Sequence, residues 1–193
     1  MSTLLLRFAG PMQAWGADSR FDVCRTNREP TKSGVIGLLA AALGWRRDAP
    51  LDDLEALQFG VRVDREGVLL RDFHMVRSAK TAYVTTRYYL CDAVFLTGVF
   101  SEDEALMQRL AEAVSHPAFP LFLGRRACPP EGRVFLGLRE EALEEALMHE
   151  PSLLSKQTMD PNKMTRMVLE DPAGPARLRD VPVSFSPFRR EYR

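Results

Sequence analysis

A glycine followed by two arginines, Gly124-Arg125-Arg126, stands between an apolar run and the turn signal Pro129-Pro130. Adjacent guanidinium groups on a glycine loop can grip phosphate oxygens in pairs; they can equally form a solvated charged turn. A second constellation, Thr31-Lys32-Ser33, precedes GVIGLLAAALG at 34–44. A cation and two hydroxyls at a helix start suit one phosphate, because the first backbone N–H groups point outward there. The same residues also make a plain helix cap. The upstream glycines of a nucleotide-hydrolysing loop are missing, since 25–31 reads RTNREPT. A third constellation lies between Arg71 and Leu90, where four bases and one acid are interleaved with Phe73, His74, Tyr83, Tyr88 and Tyr89. His74, Arg77, Lys80, Tyr83 and Arg87 could stack on bases and hold the phosphates of a single strand, or could line an ordinary exposed hairpin. His74, Lys80 and Tyr83 would also suffice for metal-free RNA cleavage, one group acting as base and another stabilising the developing charge. A lone histidine on an alternating strand is more often structural.

Other chemistries find less support. The three cysteines, Cys24, Cys91 and Cys128, are far apart and never form a CxxC pair, which fits a reducing cytoplasm and neither a disulfide framework nor a zinc ribbon. With only His74, His116 and His149 available, a histidine-rich metal site is not expected. His116 and His149 sit at helix ends, where a cation is favourable. Glu140/Glu144 and Glu141/Glu145 are each one helical turn apart and read as a solvated acidic face. No metal, no cofactor and no catalytic residue is therefore expected.

The 193 residues carry 26 Lys+Arg against 26 Asp+Glu, so nothing global announces nucleic acid. The distribution is uneven, however. Segment 139–150 holds five acids and one base, and 102–116 holds four acids and one base. Acidic helices on one side and basic, aromatic loops on another make a dipolar molecule with one anion-binding face. No positive n-region with a following apolar stretch and cleavage site opens the sequence, so secretion is not expected, and the longest apolar run, 34–43, is about half of a bilayer span. A cytoplasmic protein is expected.

The elements that must carry these residues follow from periodicity. Thr3 to Phe8 is an apolar run closed by Gly10-Pro11, a first strand. The helix from Gly34 ends at Gly44, and its small residues would let it lie close to a sheet. Leu51 to Leu57 makes a short helix. Phe59–Asp64 and Val68–Val76 alternate around a Glu66-Gly67 turn, a hairpin signature. Tyr88 to Phe100 reads as one long strand, and Ser101 caps an amphipathic helix from Glu102 to His116. Phe119–Leu123 and Val134–Leu138 flank the GRRACPPEG turn as two further strand segments, and 139–149 is a short acidic helix. The order strand, helix, strand, strand, helix, strand is that of an α+β, ferredoxin-like sheet with both helices on one face. The proline-rich remainder, 139–193, is expected as an appended β-rich or extended region on a main domain of 1–138.

RFAGPMQAWG (7–16), EPTKSGVIGLLAAALG (29–44), LRDFHMV (70–76), YYLCDAVF (88–95) and FPLFLGRRACPP (119–130) recur in this order in one known family. Over about two thirds of its length the chain resembles the CasD-type, type I-E branch of the fifth Cas family, a subunit of the CRISPR surveillance complex Cascade. The resemblance implies an RRM-type, repeat-associated RNA-binding domain that holds the 5′ handle of the CRISPR RNA and caps the complex. It implies a projecting hairpin thumb, here within about 74–88 and short for the family, packed on the backbone subunit CasC. The large subunit CasA would dock nearby, and target DNA would be met only through the complex. RNA contacts are then expected from Arg25, Thr31, Lys32, Ser33, His74, Arg77, Lys80, Tyr83, Arg87, Gly124, Arg125 and Arg126. Gln13 and Trp15, in the family's most recognisable opening, either contact handle bases or buttress the fold. In type I-E systems a different subunit (CasE) cuts the precursor, whereas a type I-C branch cuts with a Tyr/Lys/His set that His74, Lys80 and Tyr83 superficially resemble. The implied role is a non-catalytic scaffold, the alternative a metal-independent endoribonuclease.

Overall fold

The apolar run near the N-terminus forms β1 (Ser2–Ala9), and seven of its eight residues are buried. It needs to be apolar on both faces, because the sheet it belongs to is covered on both sides. The computed structural model describes residues 1–16, 23–77, 81–155, 165–171, 173–174, 181–186 and 190–192. Along these lie β2 (Met12–Gln13), β3 (Val23–Cys24), α1 (Lys32–Ala42), α2 (Asp52–Glu55), β4 (Gln58–Arg65) and β5 (Val68–Arg77). There follow β6 (Ala82–Cys91), β7 (Val94–Ser101), α3 (Glu104–Ser115), β8 (Phe135–Arg139) and α4 (Leu143–His149). Three short strands, β9 (Arg166–Leu169), β10 (Pro182–Phe185) and β11 (Arg190–Tyr192), close the series.

An α+β architecture results, as expected. The main sheet runs β8-β1-β7-β4-β9, with every neighbouring pair antiparallel. On one face Leu4, Leu6, Phe8, Phe95 and Val99 pack against Val35, Ile36 and Leu39 of α1 and Met107, Leu110 and Val114 of α3. On the other, Leu5, Leu96 and Phe100 pack against Leu143, Ala146 and Leu147 of α4. Paired Gly60 and Gly98 leave the room that α4 occupies, since a Cβ on either would collide with Leu143, Leu147 or Leu169. Residues after Leu138 therefore contribute a helix to the second face and, through β9, a strand beside β4.

The smaller sheet is built on β6. It pairs β5 along its whole length on one side, and the short β2 and β3 on the other.

Four expectations are corrected. Phe59–Asp64 and Val68–Val76 do not pair with each other. Gly67, at φ +72°, turns the chain out of the main sheet, so β4 joins β7 and β9 while β5 joins β6. The long strand from Tyr88 to Phe100 is broken at Asp92, whose left-handed φ of 58° ends β6 and starts β7 in the other sheet. Phe119–Leu123 is irregular; its backbone bonds go to the end of α1 and to the 123–128 loop. Asp103 rather than Ser101 caps α3, accepting from Leu106 N–H, while Ser101 Oγ accepts from Asp103 N–H.

Thr97 occupies the centre of β7, opposite Leu6 and Val61, fully buried and with no partner for its hydroxyl among the described residues. An unsatisfied buried hydroxyl costs about 1–3 kcal/mol relative to a bonded one. Thr97→Val keeps the shape and removes that orphan. We expect it to stabilise the fold by about 1 kcal/mol, read as a thermal midpoint about 2–4 °C higher; an unchanged or lower midpoint contradicts the assignment.

Candidate nucleic-acid interface

The residues singled out from the sequence separate into three groups. The first is internal. Gln13 is fully buried: its Nε2 donates to the carbonyls of Phe8 and Ala93 (3.3 and 2.8 Å), and its Oε1 accepts from Trp15 Nε1 at 3.1 Å. Trp15 stacks on Phe8 at 5.2 Å between ring centroids and lies where a Cβ on Gly34 would be. Of the two readings left open for this pair, buttressing matches these contacts. Thr31 Oγ1 accepts from Gly34 N–H at 3.2 Å and caps α1. Lys32 is only 6% exposed, and its Nζ donates to both carboxylate oxygens of Glu170 at 2.8 Å. Ser33 is buried within hydrogen-bond distance of Thr31 Oγ1. The cation and the capping hydroxyl at this helix start are thus engaged inside the fold.

A second group converges at the base of the β5–β6 hairpin, where Arg125 is the organiser. Its Nη1 donates to Tyr88 O (3.1 Å), and its Nη2 to Cys24 O (2.9 Å) and Arg25 O (3.1 Å). Its guanidinium lies 4.9 Å from the Tyr89 ring centroid, within cation–π range. These bonds tie β3 to β6, where Cys24 and Arg87 are register partners. Exposed Arg25 and Arg126 and half-buried Arg87 are gathered around this clamp. Exposed Arg28, in the same segment as Arg25, was not singled out from the sequence, because spacing alone does not report exposure.

The loop that carries Arg125 is held by its own backbone. Leu123 N–H donates to Cys128 O, Cys128 N–H to Arg125 O, and Ala14 N–H to Leu123 O. Gly124 has φ +82°, and a Cβ there would overlap the carbonyl of Ala14. Burial pushes the Cys128 thiol above its ordinary range, against the opposing pull of Arg125. It stays protonated and packs as a small apolar group.

The third group runs along the hairpin arm. Asp72, His74 and Val76 of β5 face Arg87, Thr85 and Tyr83 of β6 across the ladder. His74 Nε2 lies 2.6 Å from Asp72 Oδ2, and both side chains are substantially exposed. Tyr83 and Arg77 are exposed near the tip. Five ladder steps separate Arg77 from Asp72, about 17 Å at the usual rise per residue. The arm and the base are therefore separate contact regions. Lys80 lies outside the described residues, so the Tyr/Lys/His set cannot be assembled around it.

Among the described residues no group of three His, Cys, Asp or Glu side chains is placed to hold a metal ion. No helix among them is long and apolar enough to cross a membrane. The base offers guanidinium groups, aromatic faces and a rigid backbone, a set suited to holding a phosphate chain in fixed shape.

Comparison with known proteins gives a consistent result. Residues 3–193 match the family described as CRISPR-associated protein (Cas_Cas5). The CRISPR system Cascade subunit CasD of Escherichia coli (strain K12) is 42% identical, with 70% of each chain covered. A solved structure titled "Crystal structure of Cas protein" is 43% identical at a TM-score of 0.80, covering 99% of this chain and 92% of the other. A chain of a "CRISPR RNA-guided surveillance complex" is 36% identical at a TM-score of 0.84, covering 98% of this chain and 86% of its own length. With the match running over residues 3–193 and a curated relative 42% identical across 70% of the chain, the chain belongs to the CRISPR-associated Cas_Cas5 family.

Proposed function

We propose that this chain is a non-catalytic RNA-binding subunit of a type I-E CRISPR surveillance complex, cytoplasmic and acting in antiviral defence. It holds the 5′ handle of the CRISPR RNA and caps the backbone, with CasC and CasA as its neighbours. The observation that carries this reading is the match to a chain of an RNA-guided surveillance complex over nearly its whole length. The basic, aromatic base of the hairpin supports it.

Arg25, Arg87 and Arg126 are the direct phosphate contacts in this reading, and His74, Arg77 and Tyr83 meet RNA or protein along the arm. Gln13, Trp15, Thr31, Lys32, Ser33, Gly124 and Arg125 act indirectly, by fixing the surface that carries the others. The β5–β6 hairpin is the thumb, longer than the 74–88 expected. A ferredoxin-like main sheet is supported by the order β8-β1-β7-β4, with α1 and α3 on one face. The division at residue 138 falls one residue before the end of β8; among the described residues beyond it, α4 covers the sheet's second face, β9 lies along one edge and β10 reaches α1 and α2.

The test uses purified protein and labelled repeat RNA in EDTA. Replacing Arg25, Arg87 and Arg126 together by alanine is expected to weaken binding at least about tenfold. The slope of log K against log salt should fall by about 2, since each phosphate contact to a single strand contributes roughly 0.7. An unchanged affinity and slope would move the RNA site elsewhere. The alternative, a metal-independent endoribonuclease, draws on His74 and Tyr83 sharing one hairpin face, with Asp72 placed to orient the imidazole. Specific cleavage abolished by His74→Ala or Tyr83→Phe would establish it and overturn the scaffold reading.

A further inference from the structure

β5 is ten residues long, and among the described residues β6 is its only ladder partner. Among the described residues nothing pairs with the backbone N–H and C=O groups along its other edge. Long exposed edges are templates for another strand, and proteins normally blunt them with charged side chains, prolines, bulges or short length. The charges on 68–77 are Arg71, Asp72 and Arg77; no proline or bulge interrupts it, and its ladder to β6 runs without a register shift. The apolar side chains are exposed on both faces, Phe73 at 71%, Val68 at 70% and Met75 at 52%.

The sequence of this edge is self-complementary in one register. Antiparallel self-pairing about a two-fold axis must set outward-pointing residues opposite outward-pointing ones, so the axis passes through a residue. Centred on Asp72, the two carboxylates would oppose each other. Centred on His74, Arg71 would oppose Arg77 twice. Centred on Phe73, the two phenyl rings meet on the axis, Asp72 faces His74 of the second copy twice, and Leu70 faces Val76 twice. The existing β5–β6 register extends these rows. Arg87, Asp72 and the second copy's His74 form one row in which the carboxylate stands between a guanidinium and an imidazole; Tyr89, Leu70 and the second copy's Val76 and Tyr83 form an apolar one. Opposite-charge and aromatic pairs directly across a ladder are the contacts that stabilise sheets.

We propose that the free chain self-associates through β5, forming a continuous β6-β5-β5-β6 sheet in the antiparallel register centred on Phe73. The hairpin so occupied is unavailable to any other partner strand, so self-association and engagement of that edge in a larger assembly are mutually exclusive. This goes beyond the RNA-binding reading and does not depend on it.

Sedimentation velocity of the full chain without RNA, across micromolar concentrations, tests it. A concentration-dependent dimer is expected. Asp72→Lys sets a lysine opposite the second copy's His74 at both symmetric positions and should weaken the dimer roughly tenfold. The Asp72 side chain is 42% exposed on the arm, and retention of the fold is checked by circular dichroism. The double change Asp72→Lys with His74→Glu restores opposite charges in the same register and should recover the dimer. A chain that stays monomeric overturns the proposal and leaves the edge to a strand of another protein. A dimer indifferent to Asp72→Lys, or weakened by it and not rescued by the double change, overturns it as well.

Discussion

Gly124→Ala is expected to destabilise the protein by about 4 kcal/mol or more, lowering the thermal midpoint by roughly 10 °C. Two causes add. At φ +82° an alanine is strained by about 1–2 kcal/mol, because its Cβ crowds the following carbonyl. The Cβ would also overlap the Ala14 carbonyl, so β2 and the 123–128 loop cannot keep their present approach. Ala14 N–H donates to Leu123 O across this contact, and Gln13 and Trp15 lie beside it. Displacement would therefore reach the packing under α1 as well as the Arg125 clamp. Gly132→Ala is the control. Its φ is +71°, but the nearest atom to an added Cβ is the guanidinium end of Arg7 at 3.6 Å, an ordinary contact distance. It should show only the backbone strain, about 1–2 kcal/mol. Equal effects from the two substitutions in thermal or urea unfolding would refute the close-approach argument.

Arg62→Met should cost about 3–5 kcal/mol, the range for leaving one partner of a buried ion pair uncompensated. Arg62 and Asp64 have side chains 7% and 2% exposed, joined by Nε–Oδ1 at 2.7 Å and Nη2–Oδ2 at 3.1 Å. The same guanidinium donates to the carbonyls of Leu147, Glu150 and Pro151, which terminate α4. A cation at a helix C-terminus satisfies carbonyls that have no intrahelical partner and complements the helix dipole. Losing it strands a buried carboxylate and unpins α4 from the second face of the sheet. The double change Arg62→Met with Asp64→Asn removes the stranded charge and should recover part of the loss. If the double variant is no better than the single one in urea unfolding, the cost lies in the α4 carbonyls alone.

These two sites show how unevenly the sequence discloses its structure. Gly124 was singled out for its neighbours, as part of a glycine loop carrying two arginines. What no spacing could tell is that Arg125 turns inward onto three carbonyls and a tyrosine ring while Arg126 stays outside. Adjacent side chains on an irregular loop diverge according to what packs beside them, and that is settled by β3 and β6, about 100 and 37 residues away in sequence. Lys32 reads as an anion site until Glu170 is brought to it across 138 residues. Arg62 carried no signal, because a charged residue on an alternating strand looks like a solvent-facing one.

Local patterning was enough for the α+β class, the core strand β1, the helices around 32–42 and 104–115, the acidic helix after 139 and the basic, aromatic segment between Arg71 and Leu90. Each depends on neighbours in sequence: apolar periodicity, a capping hydroxyl, a run of like charges. Strand pairing was not determined in this way. The segments 59–64 and 68–76 have the alternation and the turn of a hairpin, yet they enter different sheets, because alternation fixes which face a residue occupies and not which strand lies beside it. Tertiary structure alone decided that partnership, and with it the edge of β5 that no other described strand pairs and the inward turn of Arg125. Ladder partners and buried charges are chosen by the packing of the whole chain, where each backbone group and each ion must find its complement at once.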